Sequence, residues 1–458
     1  MIAEGLRMKL ALVFVGFIVL VVLGLPFSIQ GDSSLTGAVQ SFMQYGLTAT
    51  GFLLSLLTIF MSRSLADELV GRQIFLLMTK PLPRWQYVAG KWVGITVLNT
   101  SFLFGSGLTI YVMVHYIKNT HPPIDEVFDQ ASLDKEVLVA RHALPYQPPD
   151  FLRPAKQEYE RNLEEGLYEN TPEITARSET ARLTKKYEAR WRVVGPSEKR
   201  VFEFENVLCD RSTGKEVQIR YKTEVTRYPP DEVFRGLWMA GDAAKGTPVY
   251  RIPVRHVVGR FHGVRIPADA VAEDNTLTVF FSNENPFKDE PQYNNVIEFR
   301  KSNDLELLFV VGSFEWNLVR LLVLMLCKLM FLAAVALLLT TVFSFPVACL
   351  ASFTIYVLAG TRSFILESFD FASADQAGMF TSPREFFIQL VMHLYHTVHW
   401  VIPDFGRYDA IESFVNGRNV GLVWVLQGVF WLVLVKTALV LGSAMLLFHR
   451  REVAEVSV

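Results

Sequence analysis

Residues 329–361 read LMFLAAVALLLTTVFSFPVACLASFTIYVLAGT, without one charged side chain. As a single helix this run would be about 50 Å long at the usual rise per residue. A bilayer core is about 30 Å thick and takes roughly 20 helical residues, so the run is too long for one crossing. Ser344-Phe345-Pro346 supplies a break. Proline lacks a backbone donor and disfavours helix at the residue before it. The stretch therefore reads as two neighbouring spans, Asn317–Phe343 and Pro346–Thr361.

Working outward, the same reasoning finds further spans at Leu10–Ile29, within Leu35–Met61, near Trp92–Ile117 and at Val420–Phe448. Arg7 and Lys9 before the first run resemble the start of a signal peptide. The run is longer than a signal core, however, and no small-residue cleavage site follows, so a retained helix is expected. The fold expected is a polytopic α-helical membrane protein with six transmembrane helices and an inserted α+β extracytoplasmic domain containing a β-sandwich. Three spans belong to residues 1–117 and three to 317–458, with the insert at 118–316. A hydrophobic content of 51% fits that class, and 44 Lys and Arg against 46 Asp and Glu give no reason to expect nucleic acid as a partner. The three cysteines are widely spaced and form neither a disulfide framework nor a zinc pattern.

Lysine and arginine placement sets the orientation. Arg7 and Lys9 precede the first span, Arg63, Arg72, Lys80, Arg84 and Lys91 lie between the second and third, and Arg450 and Arg451 follow the last. The loop Gln30–Ser34 has none. Both termini and the 62–91 loop are therefore expected in the cytoplasm, with residues 118–316 outside. Residues 362–419 also fall outside, although Arg362, Arg384, Arg407 and Arg418 weaken the bias there.

Within the insert, residues 150–195 are rich in Glu, Lys, Arg and Ala and read as a pair of exposed helices broken at Asn170-Thr171-Pro172. From 199 to 312 the pattern changes to strands, at Val201–Val207, Val217–Thr226, Tyr250–Val258, Thr276–Phe281 and Asn295–Phe299. A sandwich of seven or eight strands follows, and Gly263–Asn285 resembles a jelly-roll module of the carbohydrate-binding sort. Glu158, Glu160, Glu164 and Glu165 read as a solvated helix face. His256 and His262 flank a turn without a nucleophile, so no catalytic residue is assigned.

The most informative polar stretch is Ser62–Gly94, SRSLADELVGRQIFLLMTKPLPRWQYVAGKWVG. Ser64 with Asp67 and Glu68 offers a helix start, with acids where the helix dipole favours them. Leu65, Leu69, Leu76 and Leu77 gather near one face, and Pro81 and Pro83 end the helix, placing it at about 64–80. Such an element between two spans lies in the lipid interface, forms a solvated loop, or docks into a cytoplasmic motor.

Glu68, Gly71, Leu76-Leu77, Thr79-Lys80-Pro81, Arg84 and Gly90-Lys91 followed by Gly94 resemble the cytoplasmic signature of ABC-2-type transporter permeases. The nearest subgroup is typified by the nitrous-oxide-reductase maturation permease. Leu339–Ala348 is similar to that family's turn between the fourth and fifth spans. Gly71-Arg72 stands where the family has Gly-Thr. The resemblance implies a coupling role for Glu68, Leu69, Gly71, Arg72, Arg84 and Lys91. It also implies a separate cytoplasmic ABC ATPase carrying ATP and Mg, and a second permease subunit, identical or related. No G-x-x-x-x-G-K-[ST] motif occurs, so this chain is expected to hold no cofactor and not to be an enzyme. A rival expectation is a membrane-anchored scaffold, or a force-transmitting complex, whose outer domain binds an envelope polymer or partner protein.

Two lysines fall inside spans, Lys328 in the fourth and Lys436 in the sixth. A lysine at mid-bilayer costs roughly 2.5–3.5 kcal/mol on insertion scales. They either face a cavity on the substrate path or snorkel to the interface. His393, His396 and His399 recur at helical spacing near Asp404, a weak metal candidate. They sit in a stretch, about 383–403, expected as an interfacial or re-entrant helix.

Overall fold

The computed structural model describes residues 34–69, 83–120, 130–167, 176–209, 216–287, 295–299, 304–361 and 403–450. It adds backbone at 70 and 362–374 and scattered helical positions between 13 and 24. The chain divides into two compact units, Met1–Ala140 with Gly312–Val458, and Arg141–Val311.

The first unit is helical. Its elements are α1 (Leu35–Met61), α2 (Arg63–Val70), α3 (Arg84–Thr120), α6 (Phe314–Val342), α7 (Phe345–Ala374), α8 (Ile411–Val415) and α9 (Leu422–Arg450). Among the described residues four helical stretches are long and apolar enough to cross a membrane: Leu35–Leu69, Arg84–Thr120, Phe314–Val342 and Leu422–Arg450. Helices suit lipid because every interior backbone group is satisfied within the segment. Their hydroxyl side chains follow the same logic, turning back onto their own helix. Ser55 Oγ donates to the Gly51 carbonyl at 2.8 Å, Thr58 Oγ1 to Leu54 at 2.7 Å and Thr340 Oγ1 to Ala336 at 2.7 Å.

The expected break at Ser344-Phe345-Pro346 is where α6 ends and α7 begins. The fifth helix differs in length from the expectation. Its apolar part, Phe345–Thr361, is short, but the helical backbone runs on to Ala374. Residues 362–374 contain no proline or glycine to stop it. The expected span Leu10–Ile29 lies almost wholly outside the described residues, as does the stretch at about 383–403. The final helix is regular at both ends and carries a π-helical stretch, Val429–Thr437, a local widening common at functional positions.

One core binds these helices, with Phe42, Leu47 and Leu54 of α1, Ile95 and Leu103 of α3, and Leu321 and Phe331 of α6 all buried in it. Polar cross-ties fix their register. Asn99 Nδ2 donates to Thr58 Oγ1 at 2.8 Å, and Trp92 Nε1 to the Met330 carbonyl at 3.0 Å. Asn317 of α6 ties down the segment before α9. Its Nδ2 donates to the Arg418 carbonyl at 2.8 Å, and its Oδ1 accepts from the Val420 amide at 2.7 Å. Gly417 there has φ +67°, and a Cβ on it would meet the Glu136 carbonyl oxygen at 1.9 Å, so only glycine fits.

The second unit holds a helix pair and the sheets. Helices α4 (Leu152–Glu164) and α5 (Ala176–Arg192) pack side by side. Glu158 links them, 3.0 Å from Lys186 Nζ and 2.5 Å from the Tyr187 hydroxyl. The strands are β1 (Val139–Pro145, whose first two residues belong to the helical unit), β2 (Val193–Val194), β3 (Lys199–Phe204), β4 (Glu216–Lys222), β5 (Glu224–Val225), β6 (Val233–Ala240), β7 (Tyr250–Val257), β8 (Phe261–Pro267), β9 (Leu277–Ser282), β10 (Ile297–Glu298) and β11 (Leu305–Ser313). Two four-stranded sheets, ordered β1-β11-β4-β8 and β3-β9-β6-β7, share one core, and a small sheet β2-β10-β5 completes the unit. Alternation dictates the inward faces: Val217, Ile219 and Tyr221 of β4 are buried in the same core as Phe234, Trp238 and Ala240 of β6. The rings of Tyr221 and Trp238 lie 5.0 Å apart.

Strand β6 escapes the sequence reading because Pro229 and Pro230 precede it and Gly236 interrupts its apolar pattern. That glycine lies against Phe281, whose ring edge would stand 2.9 Å from an added Cβ.

Candidate coupling helix and membrane cavity

Helix α2 follows α1 after the single junction residue Ser62, whose carbonyl accepts from the Leu65 amide at 3.0 Å. Its sequence, RSLADELV, then presents Ser64, Leu65 and Ala66 to the protein and leaves Arg63 and Asp67 exposed, paired with each other at 3.2 Å. Glu68 points inward. Its Oε1 lies 2.5 Å from Lys91 Nζ, which also donates to Ser64 Oγ at 2.9 Å. The lysine and glutamate side chains are 4% and 12% exposed. Lys91 comes from α3, two turns after that helix begins, and lies 5.7 Å from the Tyr87 ring centroid. Two charges removed from water gain little net stability as a pair, yet stranding either one costs about 3–5 kcal/mol. The pair therefore acts as a specific clasp between α2 and α3.

The surroundings tie that clasp to the other helices. Leu69 packs against a buried cluster made by Val88 of α3, Ala334 of α6 and Leu441, Ala444 and Phe448 of α9. Arg84, the first residue of α3, donates from Nη1 to the His449 carbonyl at 2.9 Å, a cation on the carbonyl end of α9. Tyr87 stacks on Phe448 at 5.8 Å. The Arg63 guanidinium lies 5.7 Å from the ring of Phe345, the first residue of α7. Of the expected coupling residues, the structure thus brings Glu68, Leu69, Arg84 and Lys91 to one end of the helical unit. Gly71 and Arg72 lie outside the described residues.

A cavity of about 330 Å³ opens farther along the same helices. Thr48, Gly51, Phe52 and Ser55 of α1 line one side, Met325, Lys328 and Leu329 of α6 another, and Tyr356, Val357, Gly360 and Thr361 of α7 a third. The last wall is the irregular segment with Phe405, Gly406 and Asp409, held by the Phe405 amide donating to the Ala359 carbonyl at 2.9 Å. Lys328 is the central residue of the 29-residue α6. Its Nζ is 3.8 Å from Asp409 Oδ1. Asp409 was not legible as a partner, because it lies some eighty residues away in a stretch without helical or strand periodicity. Lys436 sits in the π-helical stretch of α9 and does not line this cavity.

His393, His396 and His399 lie outside the described residues. Among the residues described, no group of three metal-ligating side chains comes together. In the second unit, His256 is part of a packed cluster: its Nδ1 is 2.7 Å from the Tyr221 hydroxyl and its ring stacks on His262 at 4.2 Å. His262 Nε2 is 2.7 Å from the Val257 carbonyl. Burial, with the neighbouring His262 second, lowers the His256 pKa to about 4. No protein-family model, curated protein or solved structure matches the chain.

Proposed function

We propose that this chain is the membrane-spanning permease subunit of an ATP-binding-cassette transporter, driven by a separate cytoplasmic ATPase that carries ATP and Mg. The observation that supports this reading is the clasp Glu68–Lys91–Ser64. It fixes a short amphipathic helix to the base of α3, while Leu69, Arg84 and Arg63 connect the same neighbourhood to α6, α9 and α7. A push on α2 is then delivered to several membrane helices at once, which is what a coupling element must do. In this arrangement Glu68 anchors the helix. The outward pair Arg63 and Asp67 meets the ATPase.

The full reading has six spans in a bacterial inner membrane, both termini and α2 on the cytoplasmic side, and residues 118–316 outside. Two such subunits, identical or related, pair with two ATPases. Export is the direction the resemblance favours.

Co-purification tests it. The permease is tagged and expressed with the candidate ATPase, as wild type and as Arg63→Asp with Asp67→Arg. The double change keeps the pair within α2 but reverses the charge pattern facing outward. The ATPase is expected with wild type and depleted from the swapped variant. If it is absent from both while the chain inserts and folds, the transporter reading fails, and the scaffold reading takes its place.

A further inference from the structure

Among the described residues, Lys328 is held by less than a largely enclosed ammonium ordinarily requires. It stands midway along an apolar helix, with a side chain only 19% exposed. Its closest anion among the described residues, Asp409, is 3.8 Å away, beyond hydrogen-bond range. Asp409 is itself 53% exposed, at the rim of the cavity rather than in its depth. Among the described residues no hydrogen-bond acceptor is recorded for this ammonium, in a medium where a charge without close partners is expensive. The rest of the wall is largely apolar, from Phe52, Met325, Leu329 and Val357. A volume of about 330 Å³ lies within the range of small-ligand sites, which combine apolar walls with a few placed polar groups.

We propose that this cavity binds an amphiphile with one anionic head group, the head seated on Lys328 and the chain lying against Phe52, Met325 and Val357. Asp409 competes with the ligand for the ammonium and is displaced from it on binding, which keeps the empty site near neutral charge. The assignment rests on the membrane-embedded reading of the chain and deepens its transporter function by naming a ligand class. It requires no ATPase, so its failure and the failure of the coupling reading are separable.

Equilibrium binding of radiolabelled dodecyl phosphate to the purified full-length chain in maltoside detergent tests the site. Saturable binding is expected, with laurate competing and dodecyltrimethylammonium not. Inorganic phosphate competes poorly, which separates an amphiphile site from a free-phosphate site. Lys328→Met is expected to weaken binding at least about tenfold, an effect of 1.4 kcal/mol or more, and Lys328→Arg to retain most of it. Asp409→Asn is expected to tighten binding. Gly360→Leu fills the cavity without touching the charges, since nothing lies within 4 Å of a Cβ there. It should abolish binding while leaving thermal stability near wild type. Equal binding to wild type, Lys328→Met and Gly360→Leu overturns the proposal, as does equal competition by the cationic detergent. Weaker binding in Asp409→Asn would show the pair to be structural and also overturns it.

Discussion

Lys91 Nζ lies 2.5 Å from Glu68 Oε1 across the junction of two helices, and both side chains are almost wholly removed from solvent. The contact joins residues 23 positions apart, Glu68 in α2 and Lys91 in α3.

Breaking that contact from one side strands a charge. Glu68→Gln or Lys91→Met alone is expected to destabilise the junction by about 3–5 kcal/mol. The double variant Glu68→Gln with Lys91→Met recovers most of the loss, because no unpaired charge remains. Protease sensitivity around residues 63–91 in the detergent-solubilised protein, compared across the three variants, measures it. Additive losses would show that the two residues do not act as a pair.

Asn317 satisfies two backbone groups of the segment before α9 with one side chain. Asn317→Ala leaves the buried Val420 amide without its acceptor and is expected to cost about 1–3 kcal/mol. Hydrogen exchange at the Val420 amide should accelerate strongly. Unchanged exchange would mean that another group holds this turn.

Two glycines in the left-handed region separate conformational strain from steric conflict. Gly246, with φ +75°, has nothing within 4 Å of an added Cβ, while Gly417, with φ +67°, meets the Glu136 carbonyl at 1.9 Å. Gly246→Ala is expected to cost about 1 kcal/mol from the backbone alone. Gly417→Ala should cost distinctly more, because the Glu136 backbone must also move. Thermal melting of the two variants against wild type gives the comparison, and equal losses would contradict the packing at Gly417.

His256 makes the second unit sensitive to acid. The unfolded chain takes up a proton near pH 6.5, whereas burial delays protonation in the fold until about pH 4. The unfolded state thus binds more protons across that window, so stability is complete above about 6.5 and falls as pH drops toward 4. Below that value the effect is constant. Amide exchange in β4, β7 and β8, corrected for its intrinsic pH dependence, should show greater opening at about pH 5 than at about pH 7.5. His256→Gln should remove much of the difference.

How far the sequence carries the reading differs between the two units. Length of uncharged run and one proline placed the junction of α6 and α7 correctly, because those signals are local. Alternation likewise located β3, β4, β7 and β9, while β6 was obscured by Gly236, whose reason is the ring of Phe281. The site was legible only in part. Glu68 and Lys91 stand out through their resemblance to the ABC-2 permease signature, but nothing in their neighbourhood says that they face each other. Leu69 and Arg84 acquire partners from α6 and α9, hundreds of residues later. Asp409 and the cavity depend on an irregular segment, where backbone geometry rather than periodicity decides position. Lys328 and Lys436 look alike in sequence, and only the fold separates them.

Photo-crosslinking from Asp67 in intact cells tests the central claim most directly. A benzophenone amino acid replaces Asp67, exposed on α2, or Leu65, buried on the same helix. The account predicts a covalent adduct between position 67 and an ABC ATPase, identified by mass spectrometry, and none from position 65. Adducts from position 67 to lipid alone, with the chain inserted and folded, would contradict it and leave α2 as an interfacial helix.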